Sequence, residues 1–174
     1  MKYSKPTIIA DSSESIYRVA ALLKEQTTDN TAKSAVTTVR KWINDKAYDK
    51  SHVPPRPLKT AKDLIESRTT KASELVYEPM ASCGALATLG TALLRAMGHK
   101  VKLVHGKHPK SHHHAWISIY DEASKSWQEF DFTGYGFGPA GDITPQHSKQ
   151  LECEDWSEIM SFLLEEHKAY LKSK

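Results

Sequence analysis

The chain has 174 residues, 39% hydrophobic and 26% charged, which fits a folded globular protein with a real core and excludes the disordered class. A formal net charge of +3 is mild, and no dense Lys/Arg stripe with interleaved aromatics marks a nucleic-acid surface. Met1-Lys2-Tyr3-Ser4-Lys5-Pro6 is followed by no apolar run of signal or membrane-span length, so a cytoplasmic protein with no membrane partner is expected.

Residues 1–174 read as a single domain. Asp11-Ser12-Ser13-Glu14 reads as a capping box, and Ile16, Val19, Ala20 and Leu23 follow at helical spacing. A second helix is predicted from about Thr31 to Asp45, with Ala32, Ala35, Val36, Val39, Trp42 and Ile43 on one stripe. Ser51-His52-Val53-Pro54-Pro55-Arg56-Pro57 cannot be helix or inner strand and is read as a surface loop. Lys59 to Ser67 is a short helix, and Ala72 to Met80 leads into the next element.

Cys83 opens a nearly uncharged segment with Leu86, Leu89, Leu93 and Met97 at helical spacing, small residues on most other faces, and Gly98 as the stop. Such a helix is buried. Its N-terminus directs free N–H groups and a positive dipole end at the Cys83 sulfur, the setting that turns a thiol into a thiolate near neutral pH. The second cysteine is Cys153, and both are expected as free thiols. Lys100 to His105 is a strand, and Gly106 to His113 is read as a histidine-rich loop. His105, His108, His112, His113 and His114 invite a zinc reading, but zinc sites usually show tighter pair spacing and a second ligand cluster. The expectation is a solvated loop, with no metal and no cofactor.

In His114-Ala115-Trp116-Ile117-Ser118-Ile119-Tyr120 the side chains alternate, so His114 and Trp116 share one face. Asp121 to Ser124 is a polar turn and Lys125 to Phe132 a second strand. A four-residue hairpin loop pairs Tyr120 with Lys125 and sets His114 opposite Asp131. Cys83, His114 and Asp131 then form a constellation for nucleophilic chemistry: thiolate, proton shuttle, and a carboxylate that fixes the imidazole tautomer. The aromatic loop from Gly134 to Gly141 lacks the lysine and strand-to-helix context of a phosphate loop, and is a candidate rim for an acyl or peptide substrate. Asp155 to Leu171 reads as a last amphipathic helix.

A cysteine opening a helix that ends in Leu94-Arg95-Ala96-Met97-Gly98, then a strand, His114-Ala115-Trp116, and Phe130-Asp131-Phe132-Thr133 together resemble the transglutaminase-like core. The resemblance covers about 81–134. It implies a papain-like α+β fold: N-terminal helices, a buried cysteine-bearing helix on a small antiparallel sheet, and a C-terminal helix. Cys83 would be the nucleophile, His114 the base and Asp131 the orienting acid. Two departures stand out: Glu78 to Ser82 lacks a glycine just upstream of the cysteine, and Phe132 stands where proline is common. Tyr77 lies where papain-type enzymes place an oxyanion glutamine. Tyr77, Trp116, Tyr135 and Phe137 are the candidate substrate contacts, and Trp42 is more simply a buried anchor.

The function expected is a cysteine acyl-transfer enzyme acting on a protein or peptide amide, by hydrolysis or by transfer to an amine. One alternative is an inactive member of the fold that presents its cleft as a protein- or peptide-binding module. Another is a metal-binding protein that joins the histidine loop to Cys83.

Overall fold

The computed structural model describes residues 2–48, 60–133 and 143–174. Six α-helices and four strands run in the order α1 (Glu14–Gln26), α2 (Ala32–Tyr48), α3 (Ala61–Thr69), α4 (Ala72–Leu75), α5 (Cys83–Ala96), β1 (Val101–His108), β2 (Ser111–Asp121), β3 (Ser126–Phe130), β4 (Ser148–Cys153) and α6 (Met160–Lys172). The fold is α+β, as the residue pattern and the resemblance imply. The strands form one antiparallel sheet in the order β3-β2-β1-β4. No helix among the described residues is long and apolar enough to cross a membrane.

Helix α5 is the hub. Every residue from Cys83 to Arg95 is buried, and α1, α2, α3, α4 and the β1–β2 face pack around it. Burying side chains such as Leu86, Leu89 and Leu93 contributes about 1.5–3 kcal/mol each. The helix stops at Gly98, whose φ of 102° lies in the left-handed region. In its last turn the buried Arg95 donates from Nε to the Tyr3 carbonyl and from Nη2 to the carbonyls of Val101 and Glu154. One guanidinium thus ties the N-terminal segment, the start of β1 and the chain after β4 to the end of the helix.

Helix starts follow local hydrogen bonding. Ser13 caps α1 by accepting from the Ile16 N–H; the expected box with Glu14 does not form, because Glu14 is itself the first helical residue. The reciprocal box belongs to α3, where Thr60 and Asp63 satisfy one another's N–H groups. Asp11 instead accepts from the N–H and hydroxyl of Ser73 and ties down α4. Asp121 accepts from the Ala32 N–H at the start of α2 as well as from Ser124.

The sheet corrects two expectations. The histidine-rich stretch is not a loop: β1 continues to His108 and β2 begins at Ser111, leaving only a tight turn between them. His105, His108, His113 and His114 are all buried there, so histidine takes inward positions that a hydrophobic pattern does not score. The hairpin register also differs, with Tyr120 facing Trp127 and Asp121 facing Ser126. Lys125 takes the positive-φ position of the turn, at 55°. The shift amounts to two residues, and side-chain period is two, so each residue keeps its face. Extended, the register sets Asp131 level with Trp116, making His114 and Asp131 diagonal neighbours. Strand β4 escapes the sequence pattern because only Leu151, Glu152 and Cys153 of its six residues are drawn in from the surface. The last helix is split: Asp155 caps a 3-10 turn, Trp156–Glu158, before α6 begins.

The Phe132 departure has a packing partner. Phe132 is 1% exposed, and a Cβ at Gly90 of α5 would stand 2.4 Å from its ring. Alanine at 90 gains about 1 kcal/mol in helix propensity, but the overpacking costs about 1–3 kcal/mol or more. Gly90→Ala is therefore expected to lower unfolding free energy in urea. In combination with Phe132→Leu the losses should fall short of their sum; strict additivity would show that the two do not meet.

Candidate active site

Ser82 caps α5 by accepting from the Ala85 N–H, which makes Cys83 the first helical residue. The N–H groups of this first turn have no intrahelical acceptor, and they carry the positive end of the helix dipole. The Cys83 sulfur lies 3.8 Å from the His113 carbonyl oxygen, and it accepts from the Ala115 N–H. Both groups belong to β2, one on each side of His114. The sulfur is thereby seated against the strand at the residue whose ring it meets.

His114 donates from Nε2 to Asp131 Oδ2 at 2.7 Å, with both side chains at most 2% exposed. Its other ring nitrogen, Nδ1, is left for the thiol, with which the ring forms a hydrogen bond. The structure thus brings Cys83, His114 and Asp131 together. It also adds a residue that the sequence reading does not single out. His147 Nε2 lies 2.9 Å from the same Oδ2. The Thr144 N–H donates to His147 Nδ1, so the ring proton sits on Nε2 and is donated to Asp131. The second oxygen, Oδ1, accepts from the Thr133 N–H at 2.8 Å.

The charges follow from these contacts. Burial pushes the Cys83 thiol up, but the His114 hydrogen bond, the Arg68 charge and the Ala115 N–H outweigh it and bring the thiol to about 7. Burial pulls the His114 imidazole down, while Asp131 and Cys83 raise it to about 9. Burial works against the Asp131 carboxylate too, yet His114 and His147 hold it at about 2. The two groups titrate as a coupled pair, the thiol drawn down and the imidazole drawn up by one another. Cys153 is also buried and free; burial and the nearby Glu158 and Asp155 push it up to about 12.

Arg68 of α3 is the second residue that the sequence reading passes over. It is 0% exposed, its guanidinium lies 4.7 Å from the Trp156 ring centroid, and no carboxylate pairs with it among the described residues. A Cβ at Gly84 would stand 2.0 Å from Nη1 and 2.5 Å from the Ser67 carbonyl oxygen. Glycine after the cysteine is what lets this cation approach the first turn of α5. The only hint in the sequence is the Cys83-Gly84 pair, which signals a close approach without naming its partner.

The remaining candidates are distributed as follows. Trp116 is 1% exposed and donates from Nε1 to Glu129 Oε1; its ring packs near those of His114 and His147. Tyr77 is 75% exposed, and its hydroxyl pairs with that of Ser15 on α1 rather than with the thiol. Trp42 packs partly buried against the core. The proline-rich stretch 51–57 and the aromatic loop, with Tyr135 and Phe137, lie outside the described residues. Among the described residues, two groups of side chains offer donor atoms close enough to hold a cation: His114–Asp131–His147 and His105–His113–Glu166. In the first, the shared carboxylate oxygen is already bridged by two short hydrogen bonds.

The family model of the transglutaminase-like superfamily matches residues 19–132, about two thirds of the chain. The chain belongs to the transglutaminase-like superfamily. Among solved structures, the fold is similar to that of a candidate cysteine protease from Cytophaga hutchinsonii. The TM-score is 0.62 and the identity 18%, over 90% of this chain and 47% of that one. The chain therefore spans about half the length of that protein, and a likeness at this identity speaks for the fold alone. No curated protein matches the chain significantly. Membership places the protein in a family of cysteine enzymes. His147 and Arg68 are found only through the geometry.

The Arg68 charge is open to direct measurement. Iodoacetamide alkylation of Cys83 should rise with a midpoint near pH 7 while Cys153 stays unreactive, with mass spectrometry locating the label. Arg68→Met keeps the packing on Trp156 and removes the charge, so the Cys83 midpoint should move upward. An unchanged midpoint would show that Arg68 does not act on the thiol.

Proposed function

We propose that the protein is a cysteine-dependent acyl-transfer enzyme acting on an amide bond of a protein or peptide substrate. The observation that carries this reading is the 2.7 Å hydrogen bond from His114 to Asp131 on a ring whose other nitrogen faces a thiol at a helix N-terminus. In the resting state the proton of Cys83 resides on His114. The thiolate attacks the amide carbon, and the oxyanion is held by first-turn N–H groups of α5, that of Cys83 among them. His114 gives its proton to the leaving amine, the C–N bond breaks, and a thioester remains.

His114 then takes a proton from water or from an acceptor amine, which attacks the thioester. Collapse expels the thiolate and yields an acid or a new amide. Asp131 fixes the tautomer and stays ionised throughout. His147 and the Thr133 N–H keep that carboxylate aimed at the ring. Water as acceptor gives a hydrolase and an amine gives a transferase, and Tyr135 and Phe137 contact the substrate in either case.

The test is turnover of amide substrates with and without an added amine, read as free acid, new amide or released ammonia. Cys83→Ala should abolish turnover while leaving thermal unfolding nearly unchanged. Asp131→Asn should lower the rate by up to about four orders of magnitude if protease triads are a guide. Turnover at the parent rate in either variant would sink the proposal. A thiol that alkylates no faster than an ordinary cysteine at pH 7 would hand the lead to the binding-module reading.

A further inference from the structure

Helix α6 meets the sheet through a cluster of histidines. Glu166 Oε1 lies 3.4 Å from His105 Nε2, 3.7 Å from His113 Nδ1 and 3.7 Å from His112 Nε2. These separations are at or beyond the limit of hydrogen bonding. One donor atom each from His105, His113 and Glu166 lies within 4.8 Å of the other two, close to the spacing of about 3.3–3.4 Å that metal–ligand bonds of about 2.0–2.1 Å set between neighbouring ligand atoms. His105 and His113 are at most 1% exposed. Neither His113 Nδ1 nor His112 Nε2 has a hydrogen-bond partner among the described residues, although a buried imidazole nitrogen normally finds one.

The surroundings are those of ligands. His113 Nε2 stands 3.0 Å from His167 Nδ1, so a ring that coordinates through Nδ1 donates its remaining N–H to a second histidine, which fixes the tautomer. Tyr170 stacks on His112 at 3.9 Å between centroids, and Phe162 meets His105 edge-on.

We propose that His105, His113 and Glu166 bind a divalent transition-metal ion, with His112 bordering the site and zinc being the cation whose preference for imidazole and carboxylate the set fits. The site joins β1 and β2 to α6 and is separate from the Cys83–His114–Asp131 set. It pins the C-terminal helix to the strand that carries His114 one residue after His113.

The test uses the whole protein, dialysed against a chelator and titrated calorimetrically with zinc chloride. Expected are one zinc ion per chain and an unfolding temperature that rises with free zinc. Cobalt(II) in its place should give the visible d–d absorption of a four-coordinate ion. Glu166→Gln and His112→Ala sit at partly exposed positions and should keep the fold, which circular dichroism checks. Each should weaken zinc binding by at least about tenfold, the smaller end of what even outer-shell changes cost. Cys83→Ser and Asp131→Asn should bind as the parent does. The proposal is overturned by a folded protein that takes up no zinc. Parent affinity in both the Glu166 and His112 variants overturns it too, as does binding lost with Cys83 or Asp131, which would put the ion on the other set.

Discussion

A guanidinium buried against the first turn of α5 is the constraint around which this molecule is arranged. Arg68 brings a positive charge to the positive end of a helix, two like fields in one dry place, with an aromatic face on one side and no carboxylate paired with it among the described residues. Burying an uncompensated ion costs several kcal/mol. The Arg68 field adds to the His114 hydrogen bond in bringing the Cys83 thiol down to about 7, although burial alone would push it up. Gly84 and the Trp156 ring exist in this geometry to let the cation in. The Asp131 carboxylate then serves the imidazole in the same way, holding on His114 the proton that the sulfur has lost.

Much of the frame is legible in the residues. The buried cysteine helix shows in its run of leucines and small side chains, and its start and stop in Cys83 and Gly98. The hairpin shows in the alternation after His114. A register two residues off still brings imidazole and carboxylate together, because only an odd slip would turn His114 to the other face. What stayed hidden has physical reasons. Histidines facing inward read as polar loop, since pattern rules count them with solvent-facing residues. Strand β4 lies at the sheet edge and keeps too few inward residues to alternate. His147 and Arg68 reach the site from segments far away in sequence, with no local spacing that ties them to Cys83 or Asp131.

The packing of α5 also accounts for a departure from the family pattern. Phenylalanine at 132 is accommodated because position 90, about two turns along the helix from Cys83, has no side chain to oppose the ring. The two residues are one choice made at two places. A chain with proline at the first position has no need of glycine at the second, so both should be read together in any related sequence.

Asp131 has one more consequence, for how the chain is anchored. Its Oδ1 holds the Thr133 N–H, and its Oδ2 holds His147, whose ring in turn holds the Thr144 N–H. Both ends of the intervening segment hang from a single carboxylate. Closing a loop costs only about 0.6 kcal/mol more for each doubling of its length, and here the anchors belong to the core rather than to the segment. The points where the chain leaves the core at Thr133 and rejoins it at Thr144 are thereby tied to the same carboxylate that orients the His114 imidazole.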